Sequence, residues 1–233
     1  MPEVGGGLLA VLCDAAPGQE LALEDWYENQ HLYERSAIEG FFYSRRYLSI
    51  QGQPRSLALY EITGSDVLHG EAYQGALRNE RRAREALGPQ ARQQRTINSV
   101  RNEYDLVESA GRHPGEIGAF VWLVLEETTT AESEADLHGW YREELMPAVA
   151  EIPGVRGIKR YTASVGSPKY LTIFELATAD VVESDAWKRA FHSPAAERLR
   201  PYRINVLTNL GQFWKVVFQD EARREVATWP KRS

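Results

Sequence analysis

Residues 25–47 read DWYENQHLYERSAIEGFFYSRRY, and residues 139–161 read GWYREELMPAVAEIPGVRGIKRY. Trp26-Tyr27 corresponds to Trp140-Tyr141, Gly40 to Gly154 and Arg46-Tyr47 to Arg160-Tyr161, each 114 positions on. The same frame carries Gly52 and Pro54 onto Gly166 and Pro168, Leu57 onto Leu171, Glu61 onto Glu175 and Asp66-Val67 onto Asp180-Val181. It needs no gap between residues 26 and 84. Chance does not hold one frame for so long, so the chain reads as a duplication. The frame does not keep the histidine: His31 falls on Leu145, and Tyr33 on Pro147.

Each copy has the same coarse pattern. A strand (GLLAVLCD or IGAFVWLVLEE) precedes a helix whose Trp26, Tyr27, Leu32 and Ile38 form a helical stripe. A strand rich in aromatic and branched residues, a turn (QGQPR or VGSPK) and a further strand follow. A second helix is expected over 65–87 and 179–199, with Ser65 or Asp66 as N-cap of the first, and a last strand closes each copy. The order β-α-β-β-α-β is the ferredoxin-like split βαβ arrangement, an antiparallel sheet with both helices on one face. The fold class is therefore α+β. The expected units are residues 1–108 and 117–218, joined by a linker at 109–116 rich in Gly, Pro and charge and followed by a charged tail at 219–233 that lies on the surface or is loose.

The bulk numbers fit that reading. A chain of 233 residues, 43% of them apolar, buries a core without staples. Its net charge of −6, with arginines scattered among acids, argues against a nucleic-acid partner. Cys13 is the lone cysteine, which excludes an intrachain disulfide and suits a reducing, cytoplasmic setting. The N-terminus lacks the basic start of an export signal, and the run AFVWLVL is far short of the roughly 20 residues that span a bilayer, so no membrane association is expected. No phosphate-binding glycine motif, nucleophile elbow or cluster of metal-ligating residues is present, and GGGLL is too short for a dinucleotide fingerprint.

The pattern Trp-Tyr, then His a few residues on, then Gly-Phe or Pro-Gly and a following Arg-Arg-Tyr resembles the dimeric α+β barrel superfamily, and most of all its EthD-related branch. The resemblance runs over residues 7–218. It implies that the two units pair their open sheet faces into a barrel within one chain, as a pseudo-dimer with an enclosed, largely apolar interior suited to a small aromatic or apolar ligand. A homodimer of the fused chain is left open. The superfamily spans cofactor-free monooxygenases, lactone isomerases, polyketide cyclases, decarboxylases and haem enzymes, so the fold does not name the reaction. It implies no obligatory cofactor, and it leaves haem open because some relatives bind it through one histidine.

His31 is the first catalytic candidate: a histidine near neutral pKa suits acid/base work, and the resemblance points this helix position toward a cavity mouth. A structural histidine is the competing reading. Tyr43, Arg45 and Tyr47 share one face of the following strand, opposite Phe42, Ser44 and Arg46, and would supply a phenol and a cation for an oxyanion if that face is interior. Arg46 and Arg160 are expected to pair structurally with Glu61 and Glu175, since both copies keep all four. Trp26, Tyr60, Trp122 and Tyr161 are the substrate-binding candidates, with a core role as the alternative. His138 and His192 read as solvated or capping histidines. No metal ligand set is expected, because a metal needs at least three convergent ligands. Since only the first copy has His31, chemistry is expected in the first half. The function so read is a metal-independent enzyme acting on a small aromatic or polyketide-like molecule by acid/base chemistry, of lyase, isomerase, cyclase or dehydratase type. A cofactor-free monooxygenase and a non-catalytic binding protein are the alternatives.

Overall fold

The protein is described from a computed structural model over residues 5–86, 95–113 and 115–229. Parts of the expected units (1–4 and 87–94), linker residue 114 and the tail end 230–233 lie outside the described residues. Among the described residues are eight strands: β1 (Gly7–Ala15), β2 (Phe41–Gly52), β3 (Ser56–Ile62), β4 (Thr96–Ala110), β5 (Phe120–Thr128), β6 (Val155–Val165), β7 (Tyr170–Leu176) and β8 (Arg203–Phe218). They form a closed antiparallel barrel in the order β1-β3-β2-β8-β5-β7-β6-β4. The first half contributes β4-β1-β3-β2 and the second β8-β5-β7-β6, the same internal order. Two pairings join the halves. β2 meets β8, with Tyr47 opposite Phe213, and β4 meets β6, with Leu106 opposite Tyr161. Either half alone would leave two edges of unpaired N–H and C=O groups; closure removes all four.

Strand alternation sends one set of residues inward. Leu8, Ala10 and Leu12 of β1, Leu57 and Leu59 of β3, Val121, Leu123 and Leu125 of β5, and Leu171 and Ile173 of β7 meet Tyr47, Tyr104 and Tyr161 in one buried cluster. Burial of each such aliphatic side chain contributes about 1.5–3 kcal/mol. The barrel interior expected to be an enclosed apolar space is lined by this cluster. An eight-stranded barrel is just wide enough for side chains from opposite walls to meet.

Helices cover the outside of each half. In the first, α1 (Glu20–Trp26), a π-helical turn (Tyr27–His31) and α2 (Leu32–Ser36) run on end to end, followed by α3 (Glu71–Ala86). In the second, α4 (Ala131–Trp140), a π-helical turn (Tyr141–Leu145) and α5 (Met146–Ala150) do the same. The π turn begins at the tyrosine of Trp-Tyr in both halves, a local widening that the sequence pattern hid within one helix. Thr130 and Ser133 form a reciprocal capping box at the start of α4. Ser65 caps no helix; its N–H and Oγ donate to the Asp105 carboxylate at 3.1 and 3.0 Å.

The second helix of the second half is not continuous over 179–199. It breaks at His192 into α6 (Asp185–Phe191) and α7 (Pro194–Leu199). Ser193 Oγ accepts from Ala196 N–H, and Pro194 occupies the first turn, so a new helix starts where α6 stops. The described part of the tail lies on the surface as a helix. It forms α8 (Gln219–Thr228), which buries Ala222 and donates from Gln219 Nε2 to Ile38 O at 2.8 Å.

Candidate functional site

The eight residues singled out from the sequence fall into three separate places, because strand β2 divides the barrel interior from the helical layer. Tyr43, Arg45, Tyr47 and Tyr161 point inside the barrel. His31, Trp26 and Tyr60 lie on the helix side of the first half. Trp122 lies on the helix side of the second half. His31 and the Tyr43/Arg45/Tyr47 set therefore do not converge on one ligand.

Inside the barrel, Arg45 pairs with Glu175, and Lys159 Nζ pairs with Glu61 Oε1 at 2.9 Å. Positions 45 and 159 are 114 residues apart, as are 61 and 175, and each cation meets the carboxylate of the other half. Arg45 also lies 3.7 Å from Glu61. Tyr47 and Tyr161 hydroxyls donate to Glu175 and Glu61 at 3.5 and 3.4 Å, and Gly118 N–H donates to Glu175 Oε2 at 2.9 Å. All four charged side chains are fully buried. The expected Arg46–Glu61 and Arg160–Glu175 pairs do not form, since Arg46 and Arg160 sit one residue out of phase and face the helices. Arg46 lies 4.8 Å over the Tyr27 ring. Arg160 lies between the rings of Tyr141 and Tyr170, at 4.3 and 4.8 Å. Each arginine is thus carried by aromatic faces.

His31 closes the first half's π turn. Its ring stacks on Trp26 at 3.9 Å and meets the edges of Tyr27 and Tyr60 at 5.5 and 6.1 Å. Burial pushes the Tyr60 hydroxyl well above the usual phenol range. Leu145 occupies the equivalent place in the second half and is buried in its apolar core.

The second half holds a cavity of about 350 Å³ between β5, β8 and the broken α6–α7 helix. Trp122, Trp187 and Phe191 make its aromatic wall, with Trp187 stacked on Phe191 at 4.7 Å and edge-on to Trp122 at 6.3 Å. His192 and Glu197 face each other across the helix break, Nδ1 to Oε1 at 3.3 Å. Lys188, Arg200 and Arg203 also line it. Behind Arg203 sits Glu126, fully shielded from solvent. Its Oε2 accepts from Arg203 Nε and its Oε1 from the Tyr141 hydroxyl at 2.5 Å. Burial, and then Glu126, push the Tyr141 phenol far above its usual range, so it stays a donor.

Sequence reasoning singled out Trp122, read His192 as solvated or capping, which its 61% exposure matches, and did not single out Trp187, Arg203 or Glu126. The 114 frame gave no signal for them on the strands, because only the folded register places Trp122 on Leu9, Glu126 on Cys13 and Arg203 on Thr96. The duplication frame places His192 on Arg78. His138 was also read as solvated, but it is embedded in a network. Its Nδ1 accepts from Arg160 at 2.7 Å and its Nε2 meets the Tyr170 hydroxyl at 3.1 Å. Burial, then the Arg160 charge, hold its pKa below the ordinary value. Among the described residues no three metal-ligating side chains converge.

No family model and no curated protein matches the chain. Solved structures do. An anthrone oxidase-like protein matches at 14% identity and a TM-score of 0.61, over 93% of this chain and 94% of its own. A protein titled a putative monooxygenase, from Fusobacterium nucleatum, matches at 10% identity and 0.60, over 93% and 96%. A mutant chlorite dismutase from Candidatus Nitrospira defluvii matches at 10% identity and 0.60, over 96% of both chains. The fold is that of the dimeric α+β barrel proteins. In this α+β barrel both halves of the sheet come from one chain, and identities this low carry the fold and no activity. No helix among the described residues is long and apolar enough to cross a membrane.

Proposed function

We propose that the chain is a fusion of two ferredoxin-like repeats of the EthD-related kind, and that its second half is a small-molecule enzyme site. The observation behind this reading is the cavity in which the Trp122–Trp187–Phe191 wall lies beside the His192–Glu197 pair. An aromatic wall with a few polar groups suits a small aromatic or polyketide-like ligand. With Glu197 Oε1 3.3 Å from its Nδ1, His192 is favoured in the tautomer that carries the proton on Nδ1 and leaves Nε2 as the base. Nε2 would take a proton from carbon next to a carbonyl. The basic side chains of the lining would hold the enolate oxygen, and His192 would return the proton at another atom. Returned to another carbon, the proton completes an isomerisation; given instead to a departing β-hydroxyl, it completes a dehydration, and given to the alkoxide formed when the enolate carbon attacks a second carbonyl, a cyclisation. His31, stacked on Trp26 beneath Tyr60, is the corresponding candidate of the first half, at a site of its own.

Haem has one candidate ligand in this cavity, His192, and the carboxylate behind its Nδ1 suits an axial histidine. The space does not suit it: about 350 Å³ lies at the small end for ligand pockets, and a tetrapyrrole exceeds it.

A second reading, cofactor-free oxygenation of a phenol, draws on the same lining, because cations beside an aromatic wall stabilise an electron-rich phenolate. It accords with the names of the anthrone oxidase-like and monooxygenase neighbours. A panel of hydroxylated aromatic ketones, anthrone included, followed by absorbance and oxygen electrode, separates the two. Product without oxygen uptake supports the first, and stoichiometric uptake the second. His192→Gln should lower turnover at least 100-fold under the acid/base reading. An unchanged rate removes His192 from the chemistry.

A further inference from the structure

Arg203 differs from the other two cations of the cavity lining. Lys188 and Arg200 are each more than half exposed, and their partners Glu183 and Glu197 are exposed surface carboxylates. Such pairs are screened and exchange readily with water. Arg203 is only 16% exposed and is held from two sides. Glu126 grips its Nε, and the Trp140 ring lies 5.5 Å beneath its guanidinium. Among the described residues its two Nη groups make no hydrogen bond. Binding through Nε leaves the Nη pair as an outward fork, the geometry that accepts two oxygens of one anion.

The supporting groups are costly, and the fold does without them elsewhere. A buried carboxylate loses several kcal/mol of hydration unless it is paired. Glu126 is fully buried and uses both oxygens, one on Arg203 and one on Tyr141. In the first half the register puts Cys13 where Glu126 stands and Thr96 where Arg203 stands. Tyr27 keeps the place of Tyr141 there. The same strands and helices form around Cys13 and Thr96, so packing does not require a glutamate–arginine pair at this point.

We infer that Arg203 is an anion-binding residue, positioned by Glu126 and Tyr141, and that the second-half cavity takes planar aromatic ligands bearing a carboxylate or a similar two-oxygen anion. This rests on the cavity reading above and narrows it. The aromatic body lies along Trp122, Trp187 and Phe191, and the anionic end meets the Nη fork.

The test compares two probes of matching shape, 2-naphthoate and naphthalene-2-carboxamide, by calorimetry on the full-length protein. The wild type should bind the carboxylate at least ten-fold more tightly, with the preference shrinking as salt rises. Arg203→Met should erase the preference and leave carboxamide affinity within about two-fold. Glu126→Gln, which keeps the shape and loosens the grip on Nε, should shrink it part of the way. Equal binding of both probes by the wild type would overturn the anion assignment while sparing the cavity. Binding of neither probe would overturn both. The wild-type comparison decides the matter even where Arg203→Met fails to fold. Where that variant folds with an unchanged preference, Arg203 is not the anion's partner.

Discussion

Arg45 and Glu175 stand 130 residues apart in the chain and form an ion pair inside the barrel with both side chains fully shielded from solvent. Lys159 and Glu61 repeat it with the halves exchanged. The two pairs tie the halves together at the barrel centre, where a solvent-separated alternative does not exist.

Breaking one pair should be costly. Glu175→Gln keeps an acceptor for Gly118 N–H and strips the charge that Arg45 needs, with Glu61 as its remaining carboxylate at 3.7 Å. A loss of about 3–5 kcal/mol is expected, read as a lower urea midpoint. Arg45→Met combined with Glu175→Gln should lose clearly less than the two single losses added together. Additive losses would mean that the pair is not coupled.

His31→Leu copies the second half's own residue into the first. Leu145 packs there as a buried core residue, so the fold accepts leucine at this point of the π turn. Stability should change by no more than about 1 kcal/mol in a thermal melt. A larger loss would show that the stack on Trp26 is a structural need of the first half.

Stability should fall on mild acidification through His138. Its folded pKa lies below the unfolded one, from burial first and Arg160 second, so the unfolded chain binds the proton more readily. The contribution is fully present above the unfolded value near 6.5. It is lost as pH falls from there toward the folded value. Melting temperatures between pH 7.5 and 5 should drop less steeply in His138→Gln than in the wild type. Parallel curves would assign the acid sensitivity to other groups.

Gly40 and Gly154 turn each first helix into its strand with φ of +88° and +93°. A Cβ at either would come within 2.7 Å of a valine methyl, on Val67 or Val181. Gly154→Ala should cost at least about 1–2 kcal/mol from backbone strain alone, seen as a lower melting temperature. An unchanged melt would mean that the turn relaxes freely.

The alternation of strands and the broad α+β class were legible because they are local. Alternation also grouped Tyr43, Arg45 and Tyr47 correctly on one face. It could not say which face is interior, since period two is symmetric about the strand, and barrel closure alone made that choice. The same ambiguity misassigned the partners of Glu61 and Glu175 to Arg46 and Arg160, when the neighbouring Arg45 and Lys159 hold them. The loss of His31 from the second copy was plain in the sequence and drew attention to the first half. The cavity lies in the second, because it depends on where the 179–199 helix breaks and on Trp122, Trp187 and Arg203 meeting from β5, α6 and β8. Those residues are up to 81 positions apart, and only the folded barrel brings them together.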